Sequence, residues 1–256
     1  MIVRLLVAAV LLSLLATEPL GADIFRWDNG ALIPGTEGIQ PGPGTTFDGL
    51  NLEYANLVNI DLAESSFRES NLTNANLSFS HLGDSVFFGA IVAGANLVAT
   101  TKSSGVIERN GFTKDNLYAT ASYRSGDLRA IDLSLFNDLS GWDFRGQDLS
   151  HANLGGFCLC PAPSSLLSNA DFSESILWRA ELSTIITGAT FTNADIRGAI
   201  FRNRLAFPQK LTPEQLYSTA SYRQKNLSDI HLGGNDLSGW DFSGQDLTNA
   251  SFFDGY

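Results

Sequence analysis

Sulfur is scarce in this chain, with two cysteines and one methionine in 256 residues. The cysteines, Cys158 and Cys160, are separated by one residue. Two thiols are too few for a closed zinc site, and a bridge across a single residue is strained. A Cys158–Cys160 disulfide stays an open alternative in an oxidising compartment. Basic residues are also short, 16 Lys and Arg against 27 Asp and Glu, for a formal net charge of −11. Direct binding to nucleic acid needs basic surface, so that function is excluded, and the acidity reads as solubility. No apolar run follows Leu15 that could span a membrane, so no transmembrane anchor is expected. Only three histidines occur, and no Gly-x-Ser-x-Gly, phosphate loop or zinc motif accompanies them. No cofactor is expected.

What the chain does have is a beat of five. Phe47, Leu52, Leu57, Leu62, Phe67, Leu72, Leu77, Leu82, Phe87, Val92 and Leu97 are evenly spaced, and the triplets Ala55-Asn56-Leu57, Ala75-Asn76-Leu77 and Ala95-Asn96-Leu97 recur every twenty. Five matches neither a helix at 3.6 nor a strand at 2, but it matches a chain turning a corner every fifth residue, four corners to a coil. Side chains alternate in extended backbone, so each bulky centre and the small residue two before it point inward. Ala55, Ala75, Ala95, Ser65, Ser70, Ser80 and Ser85 are those small residues, and Asn51, Asn56, Asn71, Asn76 and Asn96 between them point out. Asp48-Gly49, Ser140-Gly141, Ser238-Gly239 and Ser243-Gly244 place Gly at corners, where a positive φ is required.

The pattern resembles the pentapeptide-repeat family, whose motif is Ala-(Asp/Asn)-Leu-X-X. The resemblance implies an all-β solenoid, a right-handed quadrilateral β-helix. The beat resumes at Leu128 and Leu133, gains a residue before Leu139, Phe144, Leu149 and Leu154, and returns at Phe172, Leu177 and Leu182. It loses a residue before Phe191, Ile196 and Phe201, and a last run holds Leu227, Leu232, Leu237, Phe242, Leu247 and Phe252. About thirty units predict seven or eight coils, roughly 35 Å of solenoid.

Residues 1–22 read as a secretory signal: Arg4, the apolar stretch Leu5 to Leu15, and the small-residue site Leu20-Gly21-Ala22. The mature chain then begins at Asp23 and is periplasmic or extracellular. Residues 23–44, with Pro34, Pro41 and Pro43, lack the beat and are expected to cap the first coil, anchored by Ile24-Phe25-Arg26-Trp27. The solenoid occupies 45–256.

A larger duplication overlies the small one. Leu117-Tyr118-Ala119-Thr120-Ala121-Ser122-Tyr123-Arg124 matches Leu216-Tyr217-Ser218-Thr219-Ala220-Ser221-Tyr222-Arg223, and Leu139-Ser140-Gly141-Trp142-Asp143-Phe144 returns as Leu237-Ser238-Gly239-Trp240-Asp241-Phe242. Two short helices are expected, near 112–124 and 212–223, inserted at coil corners and lying over the solenoid. Thr212 is a natural N-cap, Pro213 suits the first turn and Gln215 completes a capping box. Trp142 and Trp240 occupy inward positions that elsewhere hold Ala or Ser, so a regular coil cannot accept them. Packing beside the inserted helix is the bland explanation. With Tyr118, Tyr123, Tyr217 and Tyr222 they are also the candidate interaction surface. Gln147 and Gln245, likewise inward, need hydrogen-bond partners.

Catalytic candidates are weak. His81, His151 and His231 each sit between an inward pair and so face solvent. Asp61, Glu64 and Asp84 share one face of neighbouring coils but point outward on a convex surface, where nothing raises a carboxylate pKa. The leading reading is an exported, non-catalytic scaffold or protein-interaction module that binds a protein or an envelope polymer. Two alternatives stand beside it. One is an acidic DNA mimic, which the family resemblance implies for members that bind topoisomerases. The other is an envelope polysaccharide-active β-helix enzyme.

Overall fold

The computed structural model describes residues 23–98, 100–101, 107–108, 110–135, 137–155, 165–202 and 211–253. Residues 1–22, where a secretory signal is expected, and Cys158 with Cys160 lie outside the described residues.

From Thr46 onward the chain winds as a coil whose turns stack by parallel pairing. Four ladders run along it. The first holds Thr46, Ser66 and Val86, then Asp143, Asp171 and Thr190. The second holds Asn51, Asn71 and Ile91, then Asp127, Asp148, Ile176 and Asp195, then Asn226 and Asp246. The third runs Asn56, Asn76, Asn96, Asp132, Asn153, Glu181, Ile200, His231 and Ser251, and the fourth begins with Asp61 and His81. Its continuation includes β3 (Asn137–Asp138), paired in parallel with β4 (Ser165–Leu166). A short antiparallel pair, β1 (Thr100–Thr101) and β2 (Ile107–Glu108), projects between the third and fourth ladders. The third ladder is nine residues deep, one level more than the upper expectation from counting beats. The reason is that each insertion described below replaces a first-ladder strand while the other faces keep stacking.

The residue roles follow the five-beat. Every inward centre from Phe47 to Val92 is at most 1% exposed, and Ala55, Ala75 and Ala95 are fully buried. Burying each large centre is worth about 1.5–3 kcal/mol before entropy. Like stacks on like: Phe47 and Phe67 are parallel at 4.8 Å, Phe67 and Phe87 at 5.0 Å, and Phe144, Phe172 and Phe191 form a second stack. The outward position prefers Asn or Asp because its side-chain oxygen accepts the backbone N–H two residues on, as Asn71 does from Thr73 at 3.0 Å and Asp171 from Ser173 at 2.9 Å. That bond steers the chain into the corner, whose last residue is left-handed. Gly49 and Gly141 fill it at φ 67°, but so do Tyr54, Phe79, His151 and Arg179 at φ 56–63°. The corner is therefore imposed by the stack, at about 1–2 kcal/mol for each non-glycine residue there.

The first coil is capped by a ribbon in which Phe25 pairs with Leu32 and Arg26 pairs antiparallel with Ala55. Its anchors are Ile24 and Ile33, both buried; Phe25 and Trp27 are about half exposed, contrary to the expected four-residue anchor. Alternation decides this, since only every second residue of the ribbon faces the coil. Trp27 still packs on Tyr54 and donates its indole N–H to the Asn74 carbonyl at 2.7 Å.

Candidate interaction surface

Each insertion is a pair of helices: α1 (Lys114–Ala119) with α2 (Ala121–Ser125), and α3 (Pro213–Tyr217) with α4 (Ala220–Arg223). Thr113 with Asn116, and Thr212 with Gln215, form complete capping boxes. The break comes because Thr120 and Thr219 are themselves N-caps, each accepting the backbone N–H three residues on. A single helix per insertion was the expectation, and the second threonine corrects it.

These pairs are part of the solenoid wall and do not lie over it. At the break, Ala119 O accepts from Gly89 N at 2.9 Å, Ala121 N donates to Ala90 O at 2.8 Å, and Ser122 Oγ accepts from Val92 N. The insertion thus satisfies the coil beneath as a strand would. Toward the coil above, its two tyrosines take over. Tyr118 Oη accepts from Asp143 N at 2.5 Å, and Tyr123 Oη donates to Asp143 O at 2.8 Å. The rings stack at 4.3 Å. A pair of phenols therefore supplies the donor and acceptor that a missing first-ladder residue would have presented. Gln147 Nε2 donates to Tyr123 O at 3.1 Å, so that inward amide is met on its nitrogen while its buried Oε1 has no partner among the described residues. Trp142, 8% exposed, stacks on Phe144 in the space the helices open.

The second copy repeats every one of these contacts. Tyr217 Oη accepts from Asp241 N and Tyr222 Oη donates to Asp241 O, both at 2.7 Å, and Gln245 Nε2 donates to Tyr222 O at 3.0 Å. Trp240 lies across the Tyr217 ring. The structure thus gathers the six aromatic candidates into two separate triplets, Trp142 with Tyr118 and Tyr123, and Trp240 with Tyr217 and Tyr222. All four hydroxyls are committed to backbone. Burial first, then the neighbouring Tyr118 and Asp143, pushes the Tyr123 phenol above its ordinary range; Tyr222 moves the same way, again chiefly through burial.

Electrostatics around the clamps follow a rule that the sequence carries as Asp-x-Arg. Arg145 pairs with Asp143 at 2.7 Å and reaches Asp171 one coil up at 3.5 Å; Arg129 joins Asp127 to Asp148 in the same way. The Arg145 hydrogen bond holds Asp143 below the usual carboxylate range. Asp171 also lies low, because Ser173, Thr190 and Arg145 outweigh the burial that alone would raise it.

The catalytic candidates are not brought together. Asp61 lies in the fourth ladder, held below its ordinary value by the Ala63 N–H and by His81 at 3.1 Å, while Glu64 and Asp84 sit at the next corner. His151 is exposed and His231 keeps an outward place on the third ladder, but neither stands as a bare surface residue. His151 is at a left-handed corner, edge-on to Trp178, and His231 is half-buried against Arg202. Among the described residues no group of three His, Cys, Asp or Glu could hold a metal, and no helix is long and apolar enough to cross a membrane.

Apolar residues are also exposed outside the triplets. Phe88 and Ile91, with Arg124 over the Phe88 ring, flank the first insertion; Ile176 and Trp178 lie higher on the coil. Ile91 and Ile176 stand at outward positions where Asn or Asp is the rule, a signal readable in the sequence.

Four ladders, an interior of large apolar centres with small Ala and Ser between them, and Asx-turned corners define a repeat solenoid of five-residue units. The family model of pentapeptide repeats matches in eight copies, over residues 46–84, 65–101 and 165–203, so these stretches of the chain are pentapeptide repeats. No curated protein matches. Among solved structures, HetL, a pentapeptide repeat protein involved in heterocyst differentiation regulation from the cyanobacterium Nostoc sp. strain PCC 7120, is 20% identical, covers 82% of each chain and has a TM-score of 0.28. Full-length QnrB1, a plasmid-mediated fluoroquinolone resistance protein, is 17% identical over 83% of this chain and 91% of its own, at TM-score 0.22. A pentapeptide repeat protein of the Arabidopsis thaliana thylakoid lumen is 20% identical over 69% and 71%, at TM-score 0.11. Superpositions this loose carry no argument about role.

Proposed function

We propose that the protein is an exported, non-catalytic scaffold, a right-handed quadrilateral β-helix whose flat faces bind a protein or an envelope polymer. The preference of parallel strands for right-handed connections supports that hand. The observation that carries the functional reading is the third ladder. It sets nine outward side chains in one register, about 4.8 Å apart, on a dry and rigid core. Such a face presents chemistry at fixed spacing without reorganising, which lowers the entropy lost on binding. The carboxylates of the neighbouring first and fourth ladders suit contact better than catalysis. Asp61, Asp143 and Asp171 are all held ionised, whereas a general acid needs its pKa raised.

The acidic DNA-mimic reading is disfavoured by the arginines. A mimic needs uninterrupted rows of negative charge, yet the stacked pairs Asp127/Asp148 and Asp143/Asp171 each carry a bridging Arg. Export is tested by sequencing the N-terminus of the protein recovered from its native host. Asp23 as the first residue, outside the cytoplasm, is expected. Intact Met1 in the cytoplasm would sink the localisation and revive the mimic. Turnover of an envelope polysaccharide, abolished by Asp61→Asn, would overturn the non-catalytic assignment.

A further inference from the structure

Arg202 follows the third-ladder residue Ile200 by two positions, and its Nη2 lies 3.1 Å from His231 Nδ1 one level up. A guanidinium only donates. Nδ1 must therefore offer its lone pair, with the ring proton on Nε2, and a proton added at Nδ1 would set two cations against each other. The groups facing the ring are few. Glu181 approaches from below on the same ladder, Asp229 from the histidine's own coil, and the described coil above contributes the uncharged Ser251. Burial first and Arg202 second hold the imidazole below its ordinary value, against the opposing pull of Glu181 and Asp229. The same corner is fastened through backbone. Phe201 N donates to His231 O at 2.9 Å, Arg202 N to Ser183 Oγ at 3.1 Å, and Asn235 Nδ2 to Phe201 O at 2.7 Å.

We propose that the Arg202–His231 contact is an acid-sensitive latch: it holds the corner at Phe201–Arg202 docked while the ring is neutral and releases it when Nδ1 is protonated. His81 is the geometric contrast, since its Nδ1 faces the Asp61 carboxylate and not a guanidinium. The sign follows from linkage. A histidine depressed in the folded state leaves stability intact above the free imidazole's pKa of about 6.5, and stability falls as acid protonates the released form first.

Amide exchange at Phe201 and Arg202, corrected for intrinsic rates, tests this between pH 8 and pH 5. Protection is expected to fall by about tenfold for each pKa unit of depression, while Leu77 N–H stays protected. His231→Gln keeps a neutral acceptor, so protection at pH 8 should persist and its pH dependence vanish. In the unmodified protein, the His231 ring should titrate below a free imidazole by NMR. A flat profile at both amides, an unchanged fall in His231→Gln, or a His231 titration at or above about 6.5 would each overturn the latch.

Discussion

The two tyrosine clamps are the same device in different surroundings. The coil held by Tyr118 and Tyr123 is itself covered, since Asp143 pairs with Asp171 above it, whereas the coil held by Tyr217 and Tyr222 is the last one described. Hydrogen bonds agree between the copies to within a few tenths of an ångström, but burial does not. Phe144 and Leu149 are fully buried and Trp142 nearly so, while their counterparts Phe242, Leu247 and Trp240 are only partly buried. Clamp geometry is thus a local property of the Thr-Ala-Ser-Tyr-Arg segment and its capping threonines. Burial is a property of the stack, in which each coil is stabilised by its nearest neighbours. The skins differ as well. Beside the first clamp stand Phe88 and Ile91, and at the matching places beside the second stand Thr192 and Asp195, the latter bound to Arg197 and Ser221. One clamp therefore has an apolar shoulder and the other a charged one.

A buried charge gives the widest separation of the copies. Leu149→Lys places an ammonium where neither water nor a counter-ion reaches, and the protein is expected not to fold. The matching Leu247→Lys should fray only the last described coil, leaving thermal unfolding of the rest near its original midpoint. Equal loss from both would mean that the stack does not decide burial. Next in size is the indole. Trp142→Ala should cost about 3–5 kcal/mol in denaturant unfolding, and Trp240→Ala about half of that. If the candidate surface at Trp142, Tyr118 and Tyr123 is a contact and not a packing unit, the fold instead survives Trp142→Ala and only partner retention is lost.

Much of this was legible in the residues. The five-beat assigns each inward centre, and Thr212, Pro213 and Gln215 announce α3. The helix break was also on the page, since Thr120 and Thr219 stand three residues before Tyr123 and Tyr222, the spacing of an N-cap. Asp-x-Arg at 127–129, 143–145 and 195–197 was visible too, but its bridge to the next coil needs the vertical register. That register is hidden wherever the beat gains or loses a residue. Uncertain phase is also why His151 was placed between inward residues when it turns a corner. The use of phenol hydroxyls as a substitute strand had no signal, because tyrosine at those positions is equally suited to an exposed binding surface.

Deleting single hydroxyls sharpens the comparison at a smaller scale. Tyr118→Phe leaves the Asp143 N–H without its acceptor inside a covered wall, at a cost of about 1–3 kcal/mol. Tyr217→Phe does the same to Asp241, which is exposed, so water replaces the phenol and the loss should stay under about 1 kcal/mol. Similar costs in the two variants would show that solvent does not reach the second clamp.

Acid response gives the smallest difference. Asp143 is held low first by Arg145 and Asp241 first by the Ser243 hydroxyl, so both are depressed carboxylates by different means. Each contributes stability above the unfolded carboxylate's pKa of about 3.9 and loses it as pH falls through the native value. The causes respond differently to salt. Arg145 is exposed, so its pairing with Asp143 and Asp171 is screened, while a hydroxyl bond to Asp241 is not. Raising ionic strength should therefore move the acid unfolding midpoint of the first clamp upward and leave that of the second in place, read by exchange at Asp148 N–H and Asp246 N–H. Arg145→Ser, which gives the first copy the second copy's residue, should abolish the salt effect. Persistence of the effect in that variant would place the acid sensitivity in the stack and not in the bridging arginine.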